Sequence, residues 1–183
     1  MATIGETREY LTFILCEEEY AIEVSKIESV LEYTSITPLP GTDKSIKGVI
    51  NLRGRALPVV DLRMVMSLDC AEIDLDSSII VMLIESGDEI LSIGGLVDSV
   101  KEVIEILPEE IQEAPKVGIR IKNSFIIGIA KKNENFTIIL DIDRILNSEQ
   151  IAVASEAENL LEDNSASGLL ESPEEKTEKE IED

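Results

Sequence analysis

The sequence predicts a mainly β protein, built as a small barrel or a pair of barrels. Three observations support this fold class. The chain is 44% hydrophobic but only 3% aromatic, so β-branched and other aliphatic residues, which favour strands, must fill the core. Short apolar runs alternate with turn residues along most of the chain. A weak internal repeat relates the two halves. Together these features fit barrels better than an α/β sheet.

The strand predictions follow the order of the chain. Short extended patterns bounded by polar turns, glycine or proline are typical of half-buried strands. Residues 25–33, SKIESVLEY, fit either a short helical turn or a strand, and residues 36–41, ITPLPG, break regular structure. The predicted strands are 9–16, 20–24, 45–54, 55–62, 77–85, 89–97, 99–106, 124–131 and 136–142.

The pattern changes near residue 147, where a helix is predicted with Asn147 or Ser148 as its cap. Residues 155–183 hold eleven acidic side chains and two lysines, a composition that cannot bury enough apolar surface to order itself. We therefore predict a body over residues 8–150, a C-terminal helix over 151–162 and a disordered acidic tail over 163–183.

The repeat is clearest at an offset of 80 residues. It aligns Gly48 with Gly128 and Asp61 with Asp141, and each aspartate ends a strand just before a short helical pattern. Two carboxylates could be a catalytic pair. The repeat favours a different interpretation, in which each half needs its own aspartate to cap the following turn.

Composition excludes several functions. A net charge of −22 disfavours nucleic acid and anionic membrane surfaces as partners. The chain has no histidine, which excludes a histidine-based catalytic site or zinc site within it. The spacing of Cys16 and Cys70 resembles no metal clip, so we expect free thiols, with Cys16 a small apolar strand residue, and no metal or cofactor. No secretion signal or long apolar run is visible, which predicts a cytoplasmic protein without direct membrane insertion.

The segment 48–63, GVINLRGRALPVVDLR, contains two arginines around a glycine. It lacks the order of a phosphate-binding loop or a dinucleotide-binding motif. A β-hairpin with Arg53, Gly54 and Arg55 at its turn fits better, because glycine tolerates the backbone that tight turns require. Arginines at such a tip are either solvated or suited to recognising a partner.

Much of the chain resembles the CheW family, the coupling proteins of bacterial chemotaxis. KGVINLRGRALPVVDLR carries the resemblance, together with YLTFILCEEEYAIEVSKIESVLE, PLPG, GGLVDSVKEV, LPEEIQEAP and IILDIDRIL, in matching order over about residues 8–150. The resemblance implies two five-stranded barrels of the Src-homology type around a shared apolar interface, with no enzymatic activity. It also implies bridging between the cytoplasmic tips of transmembrane chemoreceptors and the regulatory domain of the histidine kinase CheA, with barrel contacts that can extend to further CheW-like copies in arrays.

The resemblance also implies site residues. Arg53 looks like the functional arginine of the family and Gly48 stands in the matching KG position. The apolar residues expected at the receptor-binding groove are Ile27, Val30, Val97, Val100 and Val103. The residues expected at the kinase surface are Ile36, Leu39 and Arg55. For each apolar residue, a place in the core is the competing interpretation.

One position departs from the family. Many relatives carry an acid where Ser29 stands, a possible partner for the motif arginine, and the nearest acids here are Glu28 and Glu32. Two alternatives to chemotaxis coupling stay open at this point. A CheW-like coupler could serve a pilus or gliding pathway, and a small-ligand-binding enzyme could use a double barrel, which would require a deep polar pocket.

Overall fold

The computed structural model describes residues 6–70, 74, 76–115 and 123–166, apart from the side chains of 158–166. The described part contains eleven β-strands and three α-helices, joined by turns that include three short 3-10 segments. The strands are β1 Arg8–Leu15, β2 Glu18–Glu23, β3 Ile27–Glu32, β4 Ile46–Leu52, β5 Arg55–Asp61, β6 Ser78–Ser86, β7 Glu89–Val97, β8 Ser99–Ile106, β9 Ile111–Gln112, β10 Ile126–Lys132 and β11 Asn135–Leu140. The helices are α1 Leu62–Val65, α2 Ile142–Ile145 and α3 Ser148–Ala166, and the 3-10 segments are Val24–Lys26, Pro108–Glu110 and Asn123–Phe125.

The strands form two curled sheets, which confirms the predicted mainly β, two-barrel architecture. We call the six-stranded sheet of order β8-β1-β2-β11-β10-β9 the first-strand sheet, and the five-stranded sheet of order β3-β6-β7-β5-β4 the motif sheet. The first-strand sheet has six strands rather than the five expected in each barrel, because it includes the two-residue strand β9. The ambiguous stretch 25–33 divides into the end of a 3-10 turn at Lys26 and the strand β3.

The internal repeat is visible in the structure. The hairpins β4–β5 and β10–β11 both shift register next to the repeated glycine, Gly48 in one and Gly128 in the other. In each half the second hairpin strand then pairs in parallel with a strand of another hairpin, β5 with β7 and β11 with β2. Asp61 and Asp141 follow and cap α1 and α2 by accepting from the backbone N–H two residues later. The capping interpretation of both aspartates is confirmed.

One hydrophobic core joins the two sheets. It takes fully buried residues from the first-strand sheet, such as Phe13 and Ile22, and from the motif sheet, such as Met82 and Ile93. Each sheet also has a smaller core of its own. The shared core means that the two barrels pack as one body, so side chains at their junction keep fixed relative positions.

Helix α3 packs along β5 and β7. Its cap is Asn147, whose side-chain oxygen accepts from the backbone N–H of Gln150 at 3.0 Å while Gln150 Oε1 accepts from the backbone N–H of Asn147 at 2.8 Å. The helix runs from Ser148 to Ala166, wider than the predicted 151–162, so the first four residues of the predicted tail 163–183 are helical. The rest of that tail lies outside the described residues. Within the described part, no helix combines the length and apolar character needed to cross a membrane.

Candidate protein-interaction site

The tip of the β4–β5 hairpin presents Arg53. Arg53 and Gly54 form the two-residue turn with φ of 52° and 87°, a conformation that matches the twist of paired strands. The Asn51 side chain secures the turn by accepting from the Gly54 N–H at 2.8 Å. The Arg53 side chain is exposed and makes no ion pair with any described residue. The predicted hairpin is confirmed, and its tip carries an accessible positive charge.

The second arginine of the pair is held differently. Arg55 donates from one guanidinium nitrogen to both carboxylate oxygens of Glu28, at 2.7 and 2.8 Å, and Ser92 Oγ donates to the same carboxylate at 3.2 Å. These contacts link strands β5, β3 and β7 of the motif sheet. Glu28 therefore binds Arg55 rather than Arg53, and Ser29 supplies no charge.

The structure divides the predicted receptor-binding apolar residues into two groups. Val97 is fully buried in the shared core, and Ile27 and Val100 pack against that core while partly exposed. By contrast, Val30 on β3 is 44% exposed and Val103 on β8 is 51% exposed. The junction between the sheets therefore brings together Ile27, Val97 and Val100, whereas Val30 and Val103 face solvent and are free to contact a partner.

Gly48 has an architectural position. It is buried at φ 140°, and a Cβ atom there would collide with the backbone carbonyl of Thr37. Thr37 and Val49 exchange two backbone hydrogen bonds of 2.9 Å across this close approach. Gly48 therefore allows the segment before β4 to lie directly on that strand.

The predicted kinase-binding residues lie around the segment before β4 and the hairpin that follows it. Ile36 packs partly against the smaller core of the motif sheet, and Leu39 is half-buried with its carbonyl accepting from Thr42 Oγ1 at 2.9 Å. Arg55, the third of these residues, lines a cavity of about 320 Å³ on the hairpin. Its lining residues are Thr37, Val49, Ile50, Asn51, Gly54, Arg55 and Ala56. A small apolar side chain of a partner would fit such a cavity.

A buried ion network lies at the start of α1, and sequence reasoning missed it. Arg63 donates from Nε and from one terminal nitrogen to the Asp61 carboxylate at 3.1 and 3.0 Å, and from the other to Asp98 at 2.9 Å. Burial alone would lower the pKa of Arg63, but the hydrogen bonds and charges of Asp61 and Asp98 outweigh it and raise the pKa. The only sequence signal was the DLR spacing of Asp61 and Arg63, since Asp98 is 35 residues away.

The prediction of two free thiols is wrong. Cys16 and Cys70 form a disulfide with their Cα atoms 5.5 Å apart, a normal separation for such a bond. Cys16 lies in the turn after β1 at φ 49° and not in the strand, so its side chain leaves the sheet toward the chain after α1. The two cysteines are 54 positions apart in the sequence, so no local pattern indicates that they are close in space. The expected reducing compartment also favoured free thiols.

The two sulfur atoms also lie close to a carboxylate. Ligand atoms of Cys16, Cys70 and Asp98 fall within 4.8 Å of one another. Both oxygens of Asp98 already accept hydrogen bonds, one from the Cys16 N–H at 2.7 Å and one from Arg63. The network of Arg63 therefore extends to the disulfide.

Comparison with known proteins identifies the family. The CheW-like domain family matches residues 9–150. The chemotaxis protein CheW of Klebsiella aerogenes is 32% identical over 151 residues, covering 81% of this chain and 89% of that protein. The chemotaxis protein CheW of Bacillus subtilis is also 32% identical, covering 85% of this chain and 99% of that protein.

A solved structure supports the same assignment. The crystal structure of scaffolding protein TtCheW from Thermoanaerobacter tengcongensis is similar with a TM-score of 0.70 and 32% identity, covering 79% of this chain and 96% of that one. The family match, the sequence identities and the structural similarity agree. The chain belongs to the CheW-like family of chemotaxis scaffold and adaptor proteins.

Proposed function

We propose that this chain couples chemoreceptors to the histidine kinase CheA by binding each through a separate surface. Its action is to bind and position these partners without catalysing a reaction, and the absence of histidine from the chain supports this. Recruitment by receptors would bring it to the inner face of the membrane. Ligand-dependent shifts between kinase-on and kinase-off assemblies would then pass through its two surfaces.

The observation that carries the proposal is the exposed hairpin tip. In a chain of net charge −22, Arg53 is accessible while Arg55, two residues later, is bound to Glu28. Arginine provides five donors in a fixed fork and is enriched at interface centres. Because the backbone of the turn is already ordered, binding through Arg53 would cost side-chain entropy but little backbone entropy.

The receptor surface we propose combines Arg53 with the apolar residues at and beside the sheet junction. Val30 and Val103 offer exposed apolar area, and Ile27 and Val100 are partly exposed above the shared core. An amphipathic receptor helix would place its apolar face on such a surface, with arginine fixing its register. Val97 and Gly48 are buried and would act by supporting this surface rather than by touching the partner.

The kinase surface we propose is the part of the motif sheet formed by Ile36, Leu39 and Arg55. Arg55 lines the cavity on the β4–β5 hairpin, as does Thr37, the residue after Ile36, and this cavity could take an apolar side chain of the kinase regulatory domain. Arg55 would contribute while it stays paired with Glu28, as the positively charged edge of this surface.

Arg53→Glu tests the receptor surface. We expect affinity for a receptor cytoplasmic hairpin, measured by calorimetry, to fall at least about tenfold, because truncating or reversing an interface arginine commonly costs more than 1.4 kcal/mol. The melting temperature should change little, since the side chain is exposed and unpaired among the described residues.

The matched control is Asn133→Glu. Asn133 stands at the same place in the β10–β11 hairpin, is exposed and has a similar φ of 49°. It should leave receptor affinity unchanged. Wild-type receptor affinity in Arg53→Glu, or equal losses in both variants, would contradict the proposed surface.

A further inference from the structure

The Cys16–Cys70 bond crosses the junction between the two barrels. Cys16 lies between β1 and β2 of the first-strand sheet, and Cys70 follows α1, which extends the motif sheet. The two residues border a cavity of about 490 Å³ whose lining includes four carboxylates, those of Glu17, Asp69, Asp74 and Asp98. A bond at this place ties the barrels together covalently beside the shared core.

Non-covalent contacts lie beside the bond and fix the same turn. The Cys16 N–H donates to Asp98 Oδ2 at 2.7 Å, the Asp98 N–H donates to the Ile14 carbonyl at 3.0 Å, and Arg63 binds the other oxygen of Asp98 at 2.9 Å. These contacts position the turn that carries Cys16 against α1, which leads to Cys70. Once one of these cysteines has formed a mixed disulfide with a small disulfide, the other cysteine is placed to displace the small thiol faster than a thiol of another molecule.

Both cysteines can be reached by small reagents. Cys70 is exposed and Cys16 is partly exposed, unlike structural cysteines that burial makes inert. The four surrounding carboxylates repel anionic reagents, so a cationic or neutral disulfide should react faster here than an anionic one such as oxidised glutathione.

We propose that Cys16 and Cys70 are a reversible thiol–disulfide pair that locks the junction between the two barrels. Oxidation proceeds by exchange with a low-molecular-weight disulfide. One cysteine thiolate attacks that disulfide, forms a mixed disulfide and releases one small thiolate. The thiolate of the second cysteine then attacks the sulfur of the first cysteine in this mixed disulfide. This step forms the Cys16–Cys70 bond and releases the second small thiolate. Two protein thiols are oxidised, the small disulfide is reduced to two thiols, and the protons of the cysteines pass to the released thiolates.

The surroundings favour this chemistry over metal binding by the same cluster. Asp98 is the one carboxylate with an oxygen within 4.8 Å of both sulfur atoms among the described residues. Each of its oxygens already accepts a hydrogen bond, and the Arg63 guanidinium lies 2.9 Å from it. That positive charge opposes a divalent cation at the same carboxylate.

The test is a redox titration of the full chain. The purified protein is equilibrated with cystamine and cysteamine at increasing ratios, free thiols are alkylated, and the products are resolved by mass. We expect both thiols to disappear together within a monomer, to return on reduction, and to be oxidised more slowly by oxidised glutathione. The oxidised form should melt about 5–15 °C higher than the reduced form, because the bond closes a long loop of the unfolded chain.

The control is the double variant Cys16→Ser/Cys70→Ser, whose melting temperature should not respond to the redox buffer. Cys70→Ser alone, at the exposed position, should accept one cystamine-derived group on Cys16 and form no intramolecular bond. Thiols that stay free at every ratio would overturn the proposal, as would oxidation only to disulfide-linked dimers. Stoichiometric zinc uptake by the reduced chain that blocks oxidation would overturn it too, and would assign the cluster to a metal.

Discussion

Gly48 and Arg53 stand five residues apart in one motif and have opposite roles. Gly48 is buried where the backbone of Thr37 leaves no room for a side chain, whereas Arg53 is exposed on the turn. The resemblance to the family predicts both as receptor-binding residues. We propose a direct receptor contact only for Arg53, because Gly48 is buried and has no side chain.

Gly48→Ala should be strongly destabilising. The added methyl group would collide with the Thr37 carbonyl and would also hold alanine at φ 140°, so we expect a loss of about 3–5 kcal/mol in the free energy of unfolding, measured with urea. The control is Gly87→Ala, which has φ 63° but nothing within 4 Å of the added atom. It should lose only about 1–2 kcal/mol. Equal losses in the two variants would show that the close approach of Thr37 is unimportant.

The two aspartate-capped helices show what a repeat does and does not predict at the level of an element. The offset of 80 residues correctly predicts that Asp61 and Asp141 are caps, since the same backbone N–H groups need an acceptor in each half. It does not predict their different surroundings. Asp61 is buried and bound by Arg63, whereas Asp141 is paired with Arg144, whose side chain is 69% exposed.

Replacing the arginine should therefore have different effects in the two halves. Arg63→Met removes the guanidinium hydrogen bonds to the buried Asp61 carboxylate, which keeps the more distant Lys47 Nζ at 3.9 Å, and we expect a loss of about 3–5 kcal/mol in the free energy of unfolding. Arg144→Met removes a solvent-exposed ion pair and should cost less than about 1 kcal/mol. Urea denaturation of both variants measures the difference. Similar small losses would mean that the network of Arg63, Asp61 and Asp98 contributes little to stability.

At the scale of the whole molecule, the sequence predicts the architecture better than the contacts that complete it. Alternating apolar residues and turn signals predict most strands, because each pattern is local. The Glu28–Arg55 pair, the Arg63–Asp98 pair and the Cys16–Cys70 bond join residues 27, 35 and 54 positions apart. Such contacts depend on how the two sheets pack onto a common core. Local sequence patterns do not predict that packing.

The two-barrel body explains how one small chain could hold two partners at once. The proposed receptor surface lies at the sheet junction and the tip of the β4–β5 hairpin, and the proposed kinase surface lies on the motif sheet beside Ile36 and Leu39. The shared core keeps these surfaces in a fixed relation, so binding at one can position the other. The central claim is that both partners bind at the same time.

The most direct test is co-assembly of the purified chain with a receptor cytoplasmic hairpin and the CheA regulatory domain, followed by size-exclusion chromatography with light scattering. We predict one complex that contains all three proteins and that loses the receptor, but keeps the kinase domain, when Arg53→Glu replaces the wild-type chain. Competition between the receptor and the kinase domain for the chain, or no binding of either, would contradict the account.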